Sequence, residues 1–128
     1  MDTQVCYTFS KSERLVNVKL IENLFKTNES VKAFPILFIY SFFEPNFSIQ
    51  NQIMFSVSKK KFKRAVDRNH IKRLMRESYR LQKHLFNALL PEKKYYGAFI
   101  FNGKELPNFE LVNKSLEKIY AKLNETDR

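Results

Sequence analysis

From Ser12 to Lys26 the chain reads SERLVNVKLIENLFK, with Leu15, Val18, Ile21, Leu24 and Phe25 recurring at three- and four-residue intervals. That spacing predicts an amphipathic helix starting at Ser12. Aromatic and β-branched residues then fill 34–43, FPILFIYSFF, and 52–58, QIMFSVS, with EPN at 44–46 between them, and predict two antiparallel strands. In the second, Ile53, Phe55 and Val57 alternate with Met54, Ser56 and Ser58, so one face meets a core and the other is more open.

The period changes again from Arg64 to Leu90, where a helical pattern runs until Pro91 closes it. A third strand, YYGAFIFN, is predicted at 95–102, and a last helix starts from Asn108 as N-cap and runs through Val112, Leu116, Ile119 and Leu123. The order α-β-β-α-β-α, with room for one further short strand, describes an α+β sandwich in which helices pack on a small, mostly antiparallel sheet.

Composition adds scale to this picture. A chain of 128 residues, 44% hydrophobic and with 13 Phe, can bury one core. A single domain over 1–128 is expected, with mobile ends at 1–8 and 124–128. The longest apolar run, FPILFIY, is far shorter than the roughly 20 residues of a membrane-spanning helix. The N-terminal MDTQVCYTF lacks a basic stretch followed by an apolar one, and the single Cys6 cannot form an intrachain disulfide. A cytoplasmic protein with no membrane partner is expected.

Charge changes the picture most. Lys and Arg number 23 against 13 Asp and Glu, for a net charge of +10. The segment KKKFKRAVDRNHIKRLMRESYR, 59–80, holds ten of the cations and only Asp67 and Glu77 as acids, so it carries eight of the net ten charges. At roughly 100° per residue, Arg68, Lys72, Arg76 and Arg80 share an arc of about 120°, with Asn69, Arg73 and Lys83 inside or close beside it. Ile71, Leu74, Met75, Ser78, Leu81 and Leu85 take the opposite side, where the helix can dock on the sheet.

Cations at four-residue intervals repel one another by a few tenths of a kcal/mol per pair, so helix stability alone does not select this stripe. A polyanion supplies the missing partners, and its phosphates release counterions on binding. A solvated helix face is the plainer explanation of a charge run. The Arg content, whose planar forks fit phosphates and bases, and the continuation of charge through SKKKFK at 58–63 favour nucleic acid.

An independent catalytic centre finds little support. His70 and His84 form no HxxxH or HExxH pair, Gly97 and Gly103 belong to no phosphate-cradling motif, and Cys6 has no base near it in sequence. Asp67 and Glu77 are explained by ion pairing inside a cationic helix.

The stretch AVDRNHIKRLMRESYR resembles the signature of the bacterial ribonuclease P protein family, an Arg-Asn followed by Lys-Arg and a further Arg, here Arg68, Asn69, Lys72, Arg73 and Arg76. SVSKKKFKRAV, 56–66, is similar to the family's strand leading into that helix, and RLVNVKLIENLFKTNES, 14–30, to its N-terminal helix. The likeness spans about residues 9–123. Two departures are visible. The family commonly places a Gly between the Lys pair and Ala-Val, where this chain has KFKR and one residue more, and Ile21 occupies a position where the family has an aromatic residue, while Phe25 matches the other.

The resemblance implies an RNA-binding cofactor of a catalytic RNA that removes the 5′ leader of precursor tRNA. The Mg²⁺ ions would be held mainly by the RNA, none by the protein alone, and no small-molecule substrate is implied. By the same resemblance Arg68, Asn69, Lys72, Arg73 and Arg76 contact the RNA subunit, extended by Lys59, Lys60, Lys63, Arg64 and Arg80. Phe25 and Tyr40 are the candidates for stacking on the single-stranded leader, in a cleft between the first helix and the open sheet face. Composition and periodicity fit equally well a structural RNA-binding protein such as a ribosomal protein; only the signature separates the two.

Overall fold

The protein is described by a computed structural model, covering residues 9–26, 29–44, 50–89 and 93–126. Three helices, α1 (Val18–Leu24), α2 (Ala65–Ala88) and α3 (Phe109–Thr126), and four strands, β1 (Ser30–Ala33), β2 (Ile36–Phe42), β3 (Gln52–Val57) and β4 (Tyr95–Phe101), follow one another as α1-β1-β2-β3-α2-β4-α3. Cys6, Pro45, Asn46 and Pro91, all used in the sequence reading, lie outside the described residues.

The sheet order is β1-β2-β4-β3. The strands at 34–43 and 52–58 do run in opposite directions, but they are not neighbours. β4 lies between them, antiparallel to β2 and parallel to β3. A parallel neighbour needs a crossover connection, and α2 is that connection. The further short strand is β1, paired with β2 through a turn at Phe34-Pro35 whose peptide bond is cis.

The predicted first helix is split. A single 3-10 turn occupies Lys11–Glu13, held by the Ser10 N–H donating to the Glu13 carboxylate at 2.9 Å. The Leu15 N–H then donates to the Ile53 carbonyl at 3.0 Å, so Arg14 and Leu15 run extended along the edge of β3. Helix geometry resumes only where Asn17 caps α1, its side-chain oxygen accepting from the Leu20 N–H at 3.1 Å. At the other end of the chain Asn108 caps α3 as expected, accepting from the Leu111 N–H at 2.9 Å. The helix continues to Thr126, so residues 124–126, expected to be mobile, form its last turn.

The sheet buries both faces unequally. On one, Ile36, Phe38 and Tyr40 of β2, Ile53 and Val57 of β3 and Phe99 and Phe101 of β4 pack against Ile71, Met75, Tyr79 and Phe86 of α2 and Val112, Leu116 and Ile119 of α3. Phe99 is at the centre, stacked on Phe38 with ring centroids 4.4 Å apart and within 6 Å of Phe55, Tyr79 and Phe86. On the other face, α1 covers a smaller cluster of Leu15, Leu24, Ile39, Phe43, Tyr96 and Ala98.

Gly97 is what lets Phe38 lie flat across the central strand. A Cβ there would stand 2.6 Å from Phe38 Cε1 and 2.9 Å from the Ile39 carbonyl oxygen, and the second contact is backbone that cannot swing away. Gly97→Ala is therefore expected to destabilise the protein by about 2 kcal/mol, the usual cost of overpacking, read as a lower urea midpoint at unchanged m-value. An unshifted midpoint would show that the sheet opens at no cost.

Candidate nucleic-acid interface

Helix α2 is docked by Ile71, Met75, Tyr79 and Phe86, all at most 1% exposed. The buried side also takes in Ser78, Gln82 and Lys83. Ser78 Oγ and Gln82 Nε2 both donate to Asn113 Oδ1, at 2.8 and 2.7 Å, and tie α2 to α3. Leu81 and Leu85, expected on the docking face, are instead 38% and 37% exposed. The reason is the bulk of Tyr79 and Phe86: these rings fill the space over β4, which rotates the buried side of the helix toward them.

That rotation sorts the cations. Asn69, Arg73 and Arg76 are exposed, and Lys72 and Arg80 are half-buried beside them. Arg80 is ion-paired with Glu77, its Nε donating to Glu77 Oε2 at 3.3 Å. The hydrogen bond from Arg80 holds the Glu77 carboxyl below its usual range. Lys83 does not join the stripe. It is 5% exposed, and its Nζ donates to both carboxylate oxygens of Glu13, at 2.9 and 2.8 Å.

Arg68 is also turned inward in part. Its Nη1 donates to the carbonyls of Phe62 and Lys63, both at 2.9 Å, so the guanidinium clasps the loop that leads into its own helix. This loop is where the sequence departs from the family pattern, and Phe62, which sequence reasoning passed over, anchors it. Phe62 is 7% exposed, with its ring centroid 5.9 Å from that of Phe101. The Phe62 N–H donates to the Ser58 carbonyl at 3.1 Å, and Lys61 Nζ donates to the Asn102 carbonyl and side-chain oxygen at 2.7 and 2.6 Å. With Phe62 inside, Lys59, Lys60, Lys63 and Arg64 are exposed. The KFKR stretch, read as lacking the Gly and carrying one residue more, is thus an anchored basic loop at the N-terminal end of the stripe.

The second candidate surface is the face of the sheet under α1. Leu37, Ile100 and Ser56 lie opposite one another across three strands and, with Met54, are half-buried beside the cluster that α1 covers. Phe25, at the C-terminal end of α1, is 55% exposed, and Ile21 is half-buried. Asn23 Nδ2 donates to the Tyr96 hydroxyl at 2.6 Å, which holds α1 over the sheet.

Tyr40 is not on this surface. Residues alternate across a strand, and Tyr40 shares the parity of Ile36 and Phe38, facing α2 and α3. It is 5% exposed, with its ring stacked on Phe38 at 5.5 Å, so a nucleotide on the open face does not reach it. The residues of β2 on that face are Leu37, Ile39 and Ser41.

Among the described residues no three of His, Cys, Asp and Glu come together as metal ligands, and no helix is long and apolar enough to cross a membrane.

Residues 9–124 match the protein-family model described as Ribonuclease P. The chain is 37% identical over 120 residues to the ribonuclease P protein component of Porphyromonas gingivalis, covering 92% of this chain and 88% of that protein. It is 31% identical over 121 residues to that of Chlorobium phaeobacteroides, covering 85% and 83%. Among solved structures, the ribonuclease P protein of Staphylococcus aureus superposes with a TM-score of 0.64 at 23% identity, over 88% of this chain and 95% of that one, a likeness of fold. The signature read at Arg68–Arg76, the α+β architecture and these matches along nearly the whole chain agree, and the chain belongs to the ribonuclease P protein family.

Proposed function

We propose that this chain is the RNA-binding protein cofactor of ribonuclease P, assisting endonucleolytic removal of the 5′ leader from precursor tRNA in the cytoplasm. The observation that carries the RNA-binding reading is the outward row of Asn69, Lys72, Arg73 and Arg76 on a helix whose other side is locked into the core. These residues, with the loop cations Lys59, Lys60, Lys63 and Arg64, would hold the catalytic RNA subunit. Arg80 contributes at the edge through whatever charge Glu77 leaves uncompensated. Arg68 acts chiefly by holding the loop in shape.

The half-open row Leu37, Met54, Ser56 and Ile100, flanked by Phe25, supports a track for the single-stranded leader. Such a track tolerates any sequence, because every base has a π-face to stack. With Ile21 in place of an aromatic residue, one stacking platform remains where the family pattern has two.

Mg²⁺, when bound, would polarise the phosphate and activate water for hydrolysis of the phosphodiester. In this reading the metal ions belong mainly to the RNA. The protein's own part is to position: its cations neutralise phosphates that would otherwise repel one another where leader and catalytic RNA meet.

The test is cleavage of a precursor tRNA at low Mg²⁺ by the protein alone, by a bacterial ribonuclease P RNA alone, and by both. Efficient cleavage at the mature 5′ end only in the mixture is the expected result. A mixture no better than the RNA alone points to the structural RNA-binding alternative, and cleavage by RNA-free protein points to a catalytic site of its own.

A further inference from the structure

A pocket of about 330 Å³ opens at the end of the sheet where β2 starts and β4 ends, between the β1–β2 turn, the segment after β4 and the start of α3. That volume lies within the ~300–1,000 Å³ range of small-ligand sites. Its rim is the ring of Phe34, 69% exposed, and Leu111, 44% exposed; its floor is Pro35, Phe101 and Gly103.

This exposed ring sits on fixed main chain. The Phe34 carbonyl accepts from Ser115 Oγ at 3.2 Å, and the Pro35 carbonyl accepts from the Asn102 N–H at 2.7 Å. The floor is equally defined. A Cβ on Gly103 would stand 2.8 Å from Phe101 Cζ and 3.1 Å from Pro35 Cβ, so the backbone lies directly on ring and proline. A large aromatic ring left in water on an immobile turn contributes little to folding. It is, however, already ordered for a flat partner, which lowers the entropy lost on binding.

What the partner is follows from the neighbours. Asn102, in the pocket wall, takes both hydrogen bonds from Lys61, and so joins the pocket to the exposed loop of Lys59, Lys60 and Lys63. Lys104 lines the pocket itself. Glu105 also lines the pocket beside Lys104, so the cations that suit phosphates are those of the 59–63 loop, and an apolar slot with one flat face next to that loop matches a nucleotide whose base is unpaired.

We propose that this pocket receives an unpaired nucleobase of the catalytic RNA, stacked on Phe34, with its phosphates toward the loop that begins the basic surface. The proposal deepens the RNA-binding reading and rests on it. The RNA subunit is the occupant because the pocket continues, through Asn102 and Lys61, the loop-and-helix surface assigned to it.

The test compares Phe34→Ala, Phe34→Trp and the double variant Arg73→Ala/Arg76→Ala in binding to an in vitro transcribed bacterial ribonuclease P RNA across a salt series. Because Phe34 is exposed, its truncation leaves the fold intact, which thermal unfolding verifies. Phe34→Ala is expected to weaken binding about fivefold to tenfold, as loss of one stacked base does, with an unchanged salt dependence since no charge is removed. Phe34→Trp is expected to bind like the parent.

A photoreactive benzophenone side chain at position 34 is expected to crosslink to a single-stranded nucleotide of the RNA subunit. Unchanged affinity in Phe34→Ala beside weakened binding in the Arg variant would overturn the pocket and leave the RNA-binding surface standing. No loss in either would overturn both, and a crosslink found only in precursor tRNA would overturn the choice of occupant.

Discussion

Arg73→Ala/Arg76→Ala binds ribonuclease P RNA about 100-fold more weakly than the parent, taking about 1.5 kcal/mol for each charge-assisted hydrogen bond lost. The slope of log K against log salt becomes shallower by about two, since each phosphate contact accounts for roughly 0.7–0.9 of a unit. These two residues isolate the effect because both are exposed on α2 and neither guanidinium is spent on the fold as Arg68's is on the Phe62 and Lys63 carbonyls. A protein with both substitutions therefore keeps its unfolding temperature. A double variant that remains folded and retains the parental salt slope would falsify the assignment of these residues to the RNA surface.

The second large effect concerns stability and comes from Glu13 and Lys83. Their side chains are 13% and 6% exposed, and they lie on segments seventy positions apart. Glu13→Gln leaves the Lys83 ammonium buried without its counter-charge. Breaking such a pair from one side costs about 3 kcal/mol, toward the low end for buried pairs because Glu13 keeps some contact with water. For a chain of this size that lowers Tm by roughly 10 °C.

The pair also predicts a pH dependence. Burial pushes the Glu13 carboxyl upward, but hydrogen bonds from Lys83 and Ser10, with the Lys83 charge, more than offset it and hold the group below its ordinary value of 4.5. A carboxylate more acidic in the folded than in the unfolded protein contributes its full stability above the ordinary value. That contribution is lost as pH falls through the lower folded one. The parent is thus expected to lose stability below about pH 4.5 by more than Glu13→Gln does, so the gap between their unfolding free energies narrows in acid. A gap that stays constant down to pH 3 would show that the ion pair contributes nothing beyond shape.

How far the sequence reaches can be judged on the same residues. Periodicity located α2, α3 and the three longer strands because each repeats over a full segment, and Asn108 marked the start of α3 by its own cap. Lys83 looked like one more cation of the stripe. Its burial is decided by Glu13, and nothing local records that distant pairing. Tyr40 was misplaced for a different reason: FPILFIYSFF is apolar at nearly every position, so alternation divides it into two sets without saying which set faces the helices. The order β1-β2-β4-β3 was hidden for the first reason again, since strand neighbours are set by contacts between distant segments. The outward placement of Arg73 and Arg76 was readable because exposed charges on one helix need only the helix's own geometry to be placed.

The position of β4 has a consequence for how the chain comes into being. It is the last strand in the sequence and a central one in the sheet, pairing with β2 on one side and β3 on the other. Until Phe101 has left the ribosome, only the short β1–β2 hairpin has its neighbour, β3 has none, and α2 lacks most of the surface on which it docks. An isolated hairpin of that kind is marginal in water, and pairings between distant segments form slowly. From the making of Arg80 until Phe101 emerges, nascent chains therefore carry their concentrated positive charge on an undocked segment, and they commit to the native sheet in one late step when the middle strand arrives.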